Sequence, residues 1–141
     1  MTRHLLSTFG YVISAFITQG ISHFVIFARH YAAIHNQRDD PIVALGLGSM
    51  IIQGIILSYV YEKSRSTDQS LMGSVRFSWL VGAFIVSYIA LAEPAKYYVP
   101  SIPLWIAVEG GVGFVQFTLA GLLLGLAHRA TEKRSSAANA G

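Results

Sequence analysis

The sequence predicts an all-α integral membrane protein: a four-helix bundle running up-down-up-down, with both termini cytoplasmic. Three observations carry this. Hydrophobic residues make up 53% of the 141 residues and charged residues only 12%, about half the charged share of a soluble protein. Four apolar runs are long enough for a helix to cross a hydrocarbon core, which takes about 20 residues. The links between the runs are short, and short links make consecutive helices antiparallel neighbours. Strands are not an alternative, because open sheet edges are not tolerated in lipid.

The first run, "LLSTFGYVISAFITQGISHFVIFA" (5–28), exceeds a signal-peptide core and lacks a small-residue cleavage site, so it reads as a retained span. The second, "IVALGLGSMIIQGIILSYVY" (42–61), opens after Pro41, with Asp39 or Asp40 placed to cap it. In the third, "SVRFSWLVGAFIVSYIALAE" (74–93), Arg76 lies within the first turn and snorkels to the cytoplasmic interface. The fourth is "IPLWIAVEGGVGFVQFTLAGLLLGLA" (102–127). Residues 1–128 thus read as a single bundle, and 129–141 as a polar, disordered cytoplasmic tail.

Lysine and arginine set the orientation. Arg3, Lys63, Arg65, Arg76, Arg129, Lys133 and Arg134 fall on one side, against Arg29, Arg38 and Lys96 on the other. The richer side is cytoplasmic. Tyr59, Tyr61 and Trp79 are expected at the inner interface, and Tyr97, Tyr98 and Trp105 at the outer one. The net charge of +3 needs no nucleic acid to explain it, because the basic residues flank the spans.

Polar residues within the spans are the candidate site. Gln19, Gln53 and Gln116 lie at similar mid-span depth and can hydrogen-bond between helices. His23 is one turn from Gln19 on the same face. Glu109 shares a face with Gln116, about 10 Å nearer the outside at 1.5 Å per residue. A carboxylate near a helix centre costs roughly 2.5–3.5 kcal/mol on insertion scales. Facing lipid, desolvation would keep such a group protonated. Facing His23 inside the bundle, Glu109 can keep its charge or share a proton. The spans are therefore expected to bring His23 and Glu109 together, directly or through water.

Small residues mark packing seams. Gly121 and Gly125 form a G-x-x-x-G pair, suited to contact within the bundle or between subunits. Gly110, Gly111 and Gly113 leave room beside Glu109 for a helix, water or ligand. In the outer loop, His30, His35, Asp39 and Asp40 could hold a divalent metal, but the i, i+5 histidine spacing does not put both imidazoles on one helical face. The bland reading is a solvated loop, and no metal is assigned. The chain has no cysteine, which excludes disulfides and thiolate sites. Nucleotide-binding glycine loops, H-E-x-x-H and serine nucleophile elbows are absent. No cofactor is indicated.

"SVRFSWLVGAFIV" and "IPLWIAVEGGVGFVQFTLAGLLLGLAHR" together resemble a group of small four-span bacterial membrane proteins. In these a basic-aromatic pair opens the third span, and an "IP" leads to a Trp, an acid-and-glycine stretch and a closing "GLLLGL". The resemblance covers about residues 74–129, with a histidine late in the first span as a looser match. It implies a bacterial inner-membrane protein and no particular activity. The basic and acidic site residues of the small membrane enzymes that conjugate glutathione or make eicosanoids are not found.

Three functions fit these residues. The first is a structural or accessory subunit, packing as a homo- or hetero-oligomer among membrane lipids. The second is a small proton-linked transporter or channel using Glu109 and His23. The third is a lipid- or quinone-binding protein or enzyme with a lateral cleft beside Gly110 to Gly113.

Overall fold

The computed structural model describes residues 2–34, 38, 40–65 and 68–138, with the backbone alone at 134, 135, 137 and 138. Helix α1 (Thr2–Ile21) runs into a π turn (Ser22–Ile26), breaks at Phe27, and is followed by the short α2 (Ala28–Ala32). Next come α3 (Val43–Ser64), α4 (Leu71–Ser87) with a terminal π turn (Tyr88–Ala92), and α5 (Ile102–Ala138). Four helical stretches are long and apolar enough to cross a membrane: Thr2–Ile26, Val43–Ser64, Leu71–Ala92 and Ile102–Lys133. Large apolar side chains such as Phe9, Phe24, Leu45, Leu80 and Phe84 point out of the bundle. In water that surface would be an aggregation hazard; in lipid it meets a matching solvent. The chain is a small multi-pass, all-helical membrane protein.

Helices α1 and α5 form the centre. Helix α3 packs on α1 and α4 on α5, while α3 and α4 scarcely touch. The second and third spans are therefore not the close neighbours that a short link suggests. Tyr61 of α3 meets Phe77 of α4 at 5.2 Å between ring centres, near the end of the bundle that carries both termini. Toward the other end α3 stands free: Val43 and Leu45 are exposed, and a Cβ at Gly46 or Gly48 would meet nothing within 4 Å.

Small residues explain why α4 seats on α5. In lipid there is no hydrophobic drive between helices, so close backbone approach supplies the contact. A Cβ at Gly121 would come 2.7 Å from the Val75 Cα and 3.0 Å from the Ser74 carbonyl oxygen. One at Gly125 would meet Ser74, and one at Gly113 would meet Val86. The G-x-x-x-G pair is thus occupied within the chain. At Gly110 and Gly111, by contrast, a Cβ would meet nothing within 4 Å. Gly121→Ala should cost about 1–3 kcal/mol, because the backbones must separate. Gly111→Ala should be neutral or slightly stabilising, since alanine is the better helix former. Thermal unfolding in detergent measures both, and equal melting points would contradict this seam.

Two further departures from the sequence reading have local causes. Helix α5 continues to Ala138, past the 128–129 boundary, where the side chains of His128 and Glu132 bond Arg65. Tyr61 and Trp105, near the ends of their spans, turn into the bundle rather than outward. The Trp105 indole N–H donates to the Ile89 carbonyl at 3.0 Å, inside the second π turn.

Candidate functional site

The site is built where α1 stops being a regular helix. The π turn Ser22–Ile26 and the break at Phe27 (φ −113°, ψ 22°) redirect the chain, so that α2 places Tyr31 over the bundle. Tyr31 is 4% exposed, and its hydroxyl donates to Glu109 Oε1 at 2.7 Å. Burial raises the Tyr31 phenol well above its usual range, so it stays a donor. The His23 ring stacks on the Tyr31 ring with centres 3.7 Å apart. His23 Nδ1 lies 3.0 Å from the Gln19 carbonyl oxygen. A carbonyl only accepts, so Nδ1 carries the hydrogen, and neutral His23 keeps Nε2 as a free base. His23 and Glu109 are thus brought to one place with Tyr31 between them, and no direct bond joins them among the described residues.

Glu109 is 7% exposed. It forms no ion pair among the described residues, and its one hydrogen bond there comes from Tyr31. It separates two cavities. The larger, about 560 Å³, is lined among others by His23, Tyr31, Glu93, Tyr97, Trp105 and Glu109. The smaller, about 210 Å³, lies deeper between α3 and α4 and reaches Ser49, Gln53, Gln116 and Phe117. Gln19 and Glu109 line both.

Below this junction the glutamines form one network. Gln19 Nε2 donates to Gln116 Oε1 at 2.7 Å. Gln116 Nε2 donates to the Tyr11 hydroxyl at 3.4 Å, and that hydroxyl donates to Gln53 Oε1 at 2.6 Å. Tyr11 is therefore the hub that connects the three. Further toward the termini, Leu57, Phe117, Ala120 and Leu124 pack with Tyr11, Ala15 and Tyr61 in an apolar plug.

Beyond the plug lies a second polar group. His128, 1% exposed, has Nδ1 at 2.8 Å from Arg65 Nη1 and 3.3 Å from Glu62 Oε2. Arg3 pairs with Glu62 at 2.7 Å, and Arg65 also pairs with Glu132. His4 bonds Ser58 at 2.9 Å. The acid and histidine that meet directly are thus Glu62 and His128, and because Arg65 Nη1 donates to Nδ1, that imidazole is neutral in this arrangement.

The outer-loop candidates do not assemble. His30 faces the Trp105 ring at 5.9 Å, Asp40 is exposed, and His35 and Asp39 lie outside the described residues. Among the described residues no three metal-ligating side chains come together.

Sequence reasoning missed Glu93, which stands one residue past the third span and lines the large cavity. Burial, and then the Glu109 charge, raise its pKa above the ordinary 4.5. The folded protein then holds a proton that the unfolded chain has released, so stability falls as pH rises above about 4.5. Glu93→Gln should remove part of that fall. Its melting point should match the wild type near pH 4 and exceed it at about pH 7. A difference independent of pH would contradict this assignment.

Comparison with family models, curated proteins and solved structures gives no match to this chain.

Proposed function

We propose that this protein is a small proton-linked transporter of the bacterial inner membrane, with both termini in the cytoplasm. The observation that carries the reading is the place of Glu109. It is a buried acid at the junction of two cavities, held by one neutral donor and by no cation among the described residues. Intramembrane acids are expensive and mark ion or proton paths. A carboxylate placed only to hold helices together gains most from a cationic partner. Glu109 instead faces open space, where a proton or a cargo group can reach it.

The surrounding groups fit this role. His23, with its free Nε2, stands beside Tyr31 on the route from the mouth of the cleft. The Gln19–Gln116–Tyr11–Gln53 network extends the polar route to mid-depth. Glu62 and His128 supply a second titratable pair past the apolar plug. The plug closes the termini end in this state, so transport requires it to part. The seam suited to move is the one between α3 and α4, which scarcely touch. The two π turns flank the cleft, and such turns are frequent at functional sites. The glycine seam that could have served an accessory-subunit contact is used inside the chain.

The test is reconstitution. Purified protein in vesicles loaded with a pH-sensitive dye should show proton movement when a gradient of cargo is imposed. Gradients of alkali cations, organic cations and carboxylates would be tried in turn. Proton movement no faster than in protein-free vesicles under all of them overturns the proposal.

A further inference from the structure

We propose that the large cleft binds an organic cation, an amine or quaternary ammonium compound, between the carboxylates of Glu93 and Glu109 and the aromatic rings of Tyr31, Tyr97 and Trp105. This rests on the transporter reading and names its cargo.

Four observations support it. First, the cleft is large enough for a small organic molecule, at about 560 Å³, within the usual range for ligand pockets. Second, it is acidic. Glu93 and Glu109 line it, and no lysine or arginine does. Lys96 hydrogen-bonds outside the lining, with Nζ donating to the Tyr88 hydroxyl at 2.9 Å and lying 4.7 Å from the centre of that ring, although its charge still acts on Glu93. Tyr88 is not part of the lining. Third, Glu109 is more than nine-tenths buried yet borders the space, with Oε2 free of any partner among the described residues. Fourth, Tyr31, Tyr97 and Trp105 put aromatic rings in the wall, alongside the aliphatic Ile34, Ile89 and Val99. Ring faces attract cations, most strongly where water is displaced. An inorganic metal ion fits less well, because no third ligating side chain joins the carboxylates among the described residues.

The same arrangement couples cargo to protons. The titratable groups lining the cleft are His23 on the first π turn, Tyr31 on α2, Glu93 and Tyr97 after the second π turn, and Glu109 on α5, with His30 and Lys96 next to them in the chain. Protonating either carboxylate removes a charge that holds the cation, and protonating His23 adds one that repels it. Proton uptake and cation binding therefore exclude each other, which is the condition for exchanging one for the other across a membrane.

Binding can be measured without transport. Benzyltrimethylammonium is titrated into the detergent-solubilised protein and followed by calorimetry and by tryptophan fluorescence, since Trp105 lines the cleft. Saturable binding is expected that weakens as pH falls. Benzoate should not bind. Glu93→Gln should weaken binding about tenfold or more, as loss of a desolvated charge partner does, while Glu132→Gln, at the opposite end, should leave it unchanged. Glu109→Gln should weaken it further, with its melting point recorded alongside to show that it is folded. If benzoate binds as well as the cation, or folded Glu93→Gln binds like the wild type, the inference is wrong. Cation binding without proton movement in vesicles would sink the transporter reading and leave this site standing.

Discussion

Glu109→Gln is expected to reduce proton movement in vesicles to the level of protein-free controls while leaving the fold intact. The amide is nearly isosteric, and its oxygen still accepts the Tyr31 hydroxyl that now reaches Oε1 at 2.7 Å. The structural change is therefore one neutral hydrogen bond in place of a charge-assisted one, a difference of about 1 kcal/mol. What the variant loses completely is a titratable group at the junction of the two cavities. Glu109→Asp keeps the acid but withdraws it by one methylene, so it should retain reduced movement. Tyr31→Phe removes the donor and keeps the acid, and it too should retain movement. The wild-type rate in Glu109→Gln would end the proton role of this residue. Loss in Tyr31→Phe alone would shift that role to the phenol.

Which parts of this site could be read in the sequence follows from how each part is held. The four spans were legible because hydropathy over about 20 residues is a bulk property, insensitive to detail. Glu109 and the three glutamines were legible because a polar residue in an apolar run needs a partner. The partners were harder to read. Tyr31 belongs to "RHYAAIHNQRDDP", which has the composition of a solvated loop, and only the π turn and the break at Phe27 swing it over Glu109. No glycine or proline marks that break. Tyr11 looks like any aromatic residue in a span until its hydroxyl is seen between Gln53 and Gln116. Glu93 closes its span and reads as an interfacial charge; the cleft it lines is framed by the two π turns, Tyr31 of α2 and the start of α5, which is a property of the packing. Trp105 and Tyr61 read as interface markers, and their sequence positions do not show that each finds its partners inside the bundle. At the termini end, the positive-inside count used Arg3 and Arg65 as topology signals and had no means to see that Glu62, Glu132 and His128 gather them into one cluster.

That cluster makes the largest stability prediction. Arg65→Ala should destabilise the protein by about 2–3 kcal/mol, because buried His128 loses a charged hydrogen-bond donor while the carboxylates left behind stay partly open to water. The Arg65 side chain is 9% exposed and bonds His128 and Glu132, both on α5. It also lies 3.9 Å from Glu62, which itself reaches Arg3 on α1. Without Arg65, Glu62 and Glu132 lose their common cation, and buried His128 loses its donor. Helix α5 beyond residue 127 would lose its tie to α3, so its last turns should fray and their amides should exchange faster. Arg3→Ala is the contrast. That side chain is 41% exposed, and exposed pairs are worth about 0–1 kcal/mol. Urea unfolding in mixed micelles, with hydrogen exchange on α5, measures both effects. If the two variants lose equal stability, or the exchange of residues 128–138 is unaltered in Arg65→Ala, the cluster is a set of surface contacts and not the clamp that joins α1, α3 and α5 at this end.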